Sequence, residues 1–439
     1  MPFFLKAQVC FNLVNNFNTG TNPQSIYTID VNHDGITDLV TPNYAANSIS
    51  VLFGNGLGVF NSAVNYTVGA NPQYVVSADF NQDSNPDLAV SNSSSNSISI
   101  LHSNATGFFS LATTLTVSTG GGLQKIISND FNGDGKPDLA VVDGNNNKVF
   151  IILATGVGTF GSPVSYNVGN TPVSVVSGDF NGDLKVDLAV CSVVSNNVSV
   201  LFGSGTGSFG TAVNVSVGSF PYSITTGDFN NDGKVDLATS NKSSDNVTVL
   251  LNNGSGSFPS SATYSVGDSP QTIISADFNQ DGLADIATAN PASNDITILL
   301  GNGGGSFSGG IYYTAGTGPC GLISADFDID GKIDIAVNNY FSNNISIFMN
   351  CNIITGFASI DNPSQILIYP NPATNTLFIS DNKNEFESST IAVCNYLGQT
   401  LIKQDFSNTV DVSQLSKGMY TLQLTTLQKQ CFYTKFIKE

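Results

Sequence analysis

The sequence predicts an all-β chain: a seven-bladed β-propeller over residues 9–351, closed by its own N-terminal strand, then a small Ig-like β-sandwich over residues 365–439. Three observations carry this. An acidic nine-residue loop recurs seven times at a near-constant interval. Each interval holds four short alternating segments joined by glycine-rich turns, the pattern of antiparallel strands. The pattern stops at residue 351, and a stretch with a different strand rhythm follows.

The loop is clearest at Asp130-Phe-Asn-Gly-Asp-Gly-Lys-Pro-Asp138. Carboxylate or amide oxygens stand at positions 1, 3, 5 and 9, and a glycine at position 6 permits a sharp bend. With the backbone carbonyl of position 7, that is a set of hard oxygen donors suited to Ca²⁺. The loops begin at Asp30, Asp79, Asp130, Asp179, Asp228, Asp277 and Asp326, spaced 49, 51, 49, 49, 49 and 49 residues apart. The candidate ligands of the first three are Asp30, Asn32, Asp34, Ile36 and Asp38; Asp79, Asn81, Asp83, Asn85 and Asp87; and Asp130, Asn132, Asp134, Lys136 and Asp138. The fourth and fifth offer Asp179, Asn181, Asp183, Lys185 and Asp187, then Asp228, Asn230, Asp232, Lys234 and Asp236. The last two offer Asp277, Asn279, Asp281, Leu283 and Asp285, then Asp326, Asp328, Asp330, Lys332 and Asp334. Up to seven Ca²⁺ are expected. Ser84 and Leu184 replace the position-6 glycine, so the loops starting at Asp79 and Asp179 should hold calcium least well.

Charge supports this reading. Residues 1–352 contain 26 Asp, no Glu and 8 Lys, and 22 of those Asp lie in the loops. Seven divalent ions would bring that region from −18 to about −4. Plain solvated turns would not concentrate the acid in this way. The chain has no Arg, which argues against nucleic-acid binding, and no apolar run long enough for a transmembrane helix. Phe3–Ala7 reads as the end of a truncated signal peptide, making residues 1–8 its remnant; a cytosolic start is the alternative.

Within a repeat the four strands are read around Asp179 as Val173–Ser177, Asp187–Cys191, Val198–Phe202 and Phe209–Val217. One aromatic follows each hairpin, at Phe11, Phe60, Phe109, Phe160, Phe209, Phe258 and Phe307, and suits packing between blades. Val9–Asp30 aligns without gaps to Gly58–Asp79, so the chain starts in the fourth strand of a blade. The last unit ends after its third strand, Ile345–Met349, and the N-terminal strand must complete it. By the same register Cys351 corresponds to Ser204 and Cys10 to Ser208, opposite each other across a hairpin, which predicts a disulfide at the ring closure. Cys191 and Cys320 are expected free, and pairing of Cys394 with Cys431 stays open. Residues 352–364 read as a linker. Ile366–Tyr369, Thr376–Ser380, Thr390–Tyr396, Thr400–Asp405, Thr409–Val412, Met419–Thr425 and Cys431–Ile437 read as the strands of the sandwich.

The seven units resemble FG-GAP/VCBS repeats, the family that includes the integrin α propeller, through Asp-Phe-Asn-x-Asp-Gly-x-x-Asp-[Leu/Ile]-Ala, as at Asp228–Ala238. The resemblance implies Ca²⁺ in the loop joining the first two strands of each blade. An EF-hand or dockerin needs helical flanks, and the flanks here alternate as strands. Residues 365–439 resemble the type IX secretion system (type A) sorting domain of the Bacteroidetes. The motifs are Tyr369-Pro-Asn-Pro-Ala-Thr374, Asn395-Tyr-Leu-Gly-Gln399, Asp411-Val-Ser-Gln-Leu415, Lys417-Gly-Met-Tyr420 and Lys435-Phe-Ile-Lys438. This resemblance implies recognition by the type IX machinery and release to, or display on, the outer surface of a Gram-negative bacterium.

Function then reads as a secreted or surface-attached binding or adhesion module for a protein or glycan ligand, expected to be a monomer. No catalytic constellation assembles: within residues 1–352 only Asp143, Asp245, Asp268 and Asp295 remain outside the loops. A purely structural displayed spacer is the second reading, and a calcium-dependent polysaccharide-degrading enzyme the third. The ligand is expected on the face opposite the acidic loops, where Tyr44, Tyr340 and Phe341 put aromatics at turn tips.

Overall fold

A computed structural model of the chain describes residues 9–351, 367–380, 389–395, 400–425 and 431–438. It separates into two compact units, residues 1–355 and 356–439. The signal-peptide remnant at residues 1–8, the linker at 352–364 and Tyr396–Gln399 of one sorting motif fall outside the described residues.

The first unit contains seven four-stranded antiparallel sheets. In the fourth, the strands are Pro172–Gly178, Asp187–Ser192, Asn197–Leu201 and Val213–Ser216, in that order from the centre outward. The innermost strand of each sheet packs on the innermost strand of the next, and that of the seventh packs on that of the first, so the sheets are the blades of a propeller. Each second strand is buried along its whole length, as at Asp138–Asp143, because it has a strand on either side and a blade on either face. That explains why the residues after each loop begin with consecutive apolar side chains, as Leu139-Ala-Val-Val142 does, where a half-exposed strand would alternate. Outer strands do alternate, as at Val64–Thr67.

The hairpin aromatics sit between blades. Phe60 meets Phe327 edge to face at 5.7 Å, Phe209 meets Phe131 at 5.8 Å, and Phe307 meets Phe229 at 5.7 Å. In each pair the hairpin of one blade rests on the position-2 aromatic of the preceding blade's loop. One expectation is corrected here. The fourth strand predicted over Phe209–Val217 pairs continuously only along Val213–Ser216; Phe209 keeps an isolated bridge to Gly203, with its ring on Phe131 of the preceding blade, and the ladder lapses between them.

Ring closure follows the register. Phe11–Asn18 runs antiparallel to Asn344–Asn350, from Phe11 opposite Asn350 to Asn18 opposite Asn344, with a bulge at Val14. Cys10 and Cys351 form a disulfide with Cα atoms 5.1 Å apart, and the Cys351 N–H donates to the Cys10 carbonyl at 2.8 Å. In blade four the equivalent hydroxyls of Ser204 and Ser208 hydrogen-bond at 2.7 Å, so the covalent bond stands where the other hairpin has a polar contact. Cys191 and Cys320 are buried free thiols.

The second unit has a three-stranded sheet, Leu367–Tyr369, Thr376–Ser380 and Thr409–Asp411, and a four-stranded sheet ordered Thr400–Asp405, Thr390–Cys394, Gly418–Thr425, Cys431–Lys438. Leu377, Ile379 and Val410 of one sheet share a core with Ile391, Val393, Leu422, Leu424 and Phe436 of the other. The open pairing of Cys394 with Cys431 is not formed: Cys394 is a free thiol opposite Thr421, whereas Cys431 lies opposite Thr425, at the other end of that strand.

The disulfide closes a separation of 341 residues, for which chain entropy alone assigns upwards of about 4 kcal/mol. Cys10→Ser should therefore lower the denaturation midpoint of the oxidised protein while leaving that of the reduced protein nearly unchanged. Equal midpoints for the oxidised forms would show that the staple carries no stability.

Candidate metal centre

Each acidic loop folds around its own carboxylates. In the fifth, the two oxygens of Asp228 accept the N–H groups of Asp232 at 3.0 Å and Gly233 at 2.8 Å. Asn230 Oδ1 accepts the Asp232 N–H at 3.1 Å, and Asp232 Oδ1 accepts the Lys234 N–H at 3.0 Å. The position-1 bonds recur in every other loop. The oxygens of positions 1, 3 and 5 are thereby held on the inside of one tight turn.

Two residues per loop are left-handed. Position 6 is, whether glycine, as Gly233 at φ 79°, or not, as Ser84 at 69° and Leu184 at 63°. The Leu184 side chain is 93% exposed, and its N–H still reaches Asp179 Oδ2 at 2.8 Å. The turn thus survives the substitution at the cost of a strained backbone, about 1–3 kcal/mol. Position 4 is left-handed too: His33, Gln82, Gly133, Gly182, Asn231, Gln280 and Ile329. Sequence reasoning missed it, because only two of the seven are glycine.

Position 9 has a second task. Asp38, Asp87, Asp138, Asp187, Asp236, Asp285 and Asp334 are all buried. In each, Oδ2 accepts the N–H of loop position 2 and Oδ1 that of the residue just after the third strand or at its end. Asp236, for instance, holds Phe229 at 3.0 Å and Asn252 at 2.7 Å. Burial pushes these carboxyls up, Asp38 and Asp334 to about 6 and Asp285 to about 7. The exposed position-5 carboxyls go the other way: hydrogen bonds from Lys136 and Lys234 hold Asp134 and Asp232 below the usual range.

The donor set fits a hard divalent cation. It is oxygen throughout, and a carboxylate oxygen that accepts one N–H keeps a lone pair for a metal. In the seventh loop, oxygens of Asp326, Asp328 and Asp334 lie within 4.8 Å of one another. Burial, and next the Asp330 charge, raise the Asp328 carboxyl, a strain that a cation among them would relieve.

On the opposite face the aromatic candidates divide. Tyr340 and Phe341 line a cavity of about 360 Å³ together with Tyr222, Lys242, Gln24 and Gln271. Tyr44 does not line it; it is half-buried, and its carbonyl accepts the Asn71 side-chain N–H at 3.1 Å. Sequence reasoning missed Tyr222, Lys242, Gln24 and Gln271, which come together from three blades with no shared motif. Of the four Asp outside the loops in residues 1–352, Asp143 accepts from Ser118, Asn145 and Asn146, Asp245 from the Ser269 N–H, and Asp295 from Asn290.

Asp236→Ala should strand two buried N–H groups and cost about 2–6 kcal/mol, read as a fall in urea-unfolding stability with chelator present so that no ion contributes. A loss under 1 kcal/mol would mean that these bonds do not support the blade.

Residues 30–90, 79–141, 130–190, 185–239, 228–288 and 277–337 match the FG-GAP-like repeat, and residues 367–439 match a secretion system C-terminal sorting domain. No curated protein matches the chain in sequence. In fold the chain is similar to BBS1N in its crystallised complex with ARL6DN, at 12% identity and TM-score 0.54 over 77% of this chain and 96% of that one. It is also similar to a catalytically inactive virginiamycin B lyase from Staphylococcus aureus with quinupristin, at 16% and 0.52 over 78% and 99%. A protein from Lactobacillus plantarum gives 16% and 0.55 over 70% and 88%. Identities this low speak for the fold alone. The repeats span residues 30–337, and the chain therefore belongs to the FG-GAP-like repeat family, on a β-propeller followed by a type IX sorting domain.

Proposed function

We propose that the chain is a calcium-stabilised binding propeller, exported through its sorting domain, that takes a protein or glycan ligand on the face opposite the acidic loops. The sorting domain implies secretion or cell-surface display, and no helix among the described residues is long and apolar enough to cross a membrane. The observation that carries the calcium reading is the repeated inward set of oxygens, with three carboxylates within 4.8 Å in the seventh loop. Bound Ca²⁺ would neutralise these carboxylates and tie each loop's ends together; the residues that would hold it are those at positions 1, 3, 5, 7 and 9. Binding is favoured over catalysis because Asp143, Asp245 and Asp295 are engaged in turns, while an exposed Phe341 rims a cavity.

Calcium at 100 times its dissociation constant adds about 2.7 kcal/mol per site, so excess EDTA should lower the melting temperature sharply. Asp134→Ala should remove more of the calcium-dependent gain than Asp183→Ala, because Leu184 already strains the fourth loop. The position-9 carboxyls lie above their unfolded values, so the ion-free fold binds extra protons between about pH 4 and 7. It therefore loses stability as pH rises through that window, and calcium should protect most above pH 7 and least below 6. A melting curve unchanged by EDTA, with metal removal verified, would end the calcium reading.

Deleting residues 365–439 should leave a calcium-responsive propeller that is retained in the periplasm. Surface display of that truncation at the full-length level would remove the sorting role.

A further inference from the structure

From the cavity opposite the metal loops we infer a site for a carboxylated sugar, a uronate-type ring, with Lys242 taking the carboxylate. This rests on the reading of the propeller as a binding module and names where and what it binds. The cavity lies where the innermost strands begin. Tyr222, Gln271 and Gln24 come from that end of three blades, and Lys242, Tyr340 and Phe341 from the turns between second and third strands. An innermost strand of seven residues, such as Pro319–Ala325, separates this end from the acidic loop by about 20 Å.

Three features specify the ligand. Among the described residues Lys242 is the only charged one lining the cavity, and its ammonium has no ion-pair or hydrogen-bond partner among them. It rests 4.8 Å from the centre of the Tyr222 ring, which fixes its place without neutralising it. Neither Asp245 nor Asp268 lines the cavity, and the Asp245 carboxylate is turned to the Ser269 N–H at 2.8 Å. In a chain of net charge −19, an unpaired lysine in a pocket without carboxylates invites an anionic group. Burial holds this ammonium below its ordinary range, the cost a bound carboxylate would offset.

The second feature is an aromatic wall. Phe341 is 67% exposed, meets Tyr340 edge to face at 5.0 Å, and is backed by Gly318, where a Cβ would fall 2.5 Å from its ring. A ring held this way offers a flat apolar surface to the C–H face of a sugar. Third, Gln24 and Gln271 line the same space, and neither side-chain amide has a hydrogen-bond partner among the described residues, which leaves both free to meet hydroxyls. The volume lies in the range of small-ligand sites, ~300–1,000 Å³.

Calorimetry on the full chain in calcium, with trigalacturonate and its fully methyl-esterified form as probes, tests this. The acid should bind saturably and at least tenfold more tightly than the ester. Lys242→Gln should abolish that difference, and Phe341→Ala should weaken both probes, with the calcium-dependent melting temperature of both variants unchanged. Equal binding of acid and ester, a preference that survives Lys242→Gln, or Lys242-dependent binding of an N-acetylated tripeptide in place of the sugars would each overturn the inference. A glycan array separates the two levels. Neutral glycans bound independently of Lys242 would overturn the uronate site and leave the binding module standing, whereas no glycan and no surface protein retained would overturn both.

Discussion

Seven buried carboxylates set the geometry of the propeller. Each position-9 aspartate joins the start of its acidic loop to the far end of the third strand, sixteen residues on, through N–H groups accepted at both oxygens. The loop so anchored supports the neighbouring blade. The hairpin glycine Gly207 donates to the Phe131 carbonyl at 2.9 Å, and Phe209 lies on the Phe131 ring; Gly256 does the same at Phe180, and Gly305 at Phe229. Blade is thus linked to blade through the loops, not only through apolar faces. A buried anion in the middle of this linkage is costly alone, which is why a bound cation and the fold would strengthen each other.

Much of this architecture was legible because the repeats are nearly identical. Period, strand order, ring closure and the opposition of Cys10 and Cys351 all follow from one register. What escaped is what the register does not encode. The second role of Asp236 depends on Asn252, just past the third strand, so a local reading of the loop sees a candidate ligand only. The left-handed position 4 carries His, Gln, Asn and Ile as well as Gly, and the steric demand leaves no consistent letter. Phe209 looked like the start of a strand by alternation, yet it keeps only an isolated bridge to Gly203, whereas Phe11, packed on Phe278 in the same way, stays in its ladder opposite Asn350.

Blade three shows how the fold absorbs an irregularity. In most blades a glycine at the blade junction lets the asparagine closing the second strand approach closely: a Cβ on Gly69, Gly218 or Gly267 would come within 2.6 or 2.7 Å of the side chain of Asn92, Asn241 or Asn290. The third blade instead has Ser118 and Asp143, and the serine hydroxyl donates to the carboxylate at 2.6 Å. The insertion at Ser118–Leu123 is carried over this contact, and Gly120, Gly121 and Gly122 take φ of 107°, 77° and 114° to do it. An acid that could be mistaken for a catalytic group is accounted for as a replacement for a close backbone approach.

The same comparison among repeats separates what the fold needs from what it leaves free. Position 9 is aspartate in all seven blades and position 10 is leucine or isoleucine, because burial and two N–H donors permit little else. The residue directly after the second strand is Tyr44, Ser93, Gly144, Val193, Lys242, Pro291 or Tyr340, seven positions equivalent by symmetry and almost all different in chemistry. Folding cannot be what selects a tyrosine at one and a lysine at another, since the backbone there is the same turn each time. The variation is grouped: Lys242 and Tyr340 flank Pro291 on consecutive blades and open on one cavity. On the proposed reading, this symmetric scaffold acquires its site by breaking symmetry on the face opposite the acidic loops.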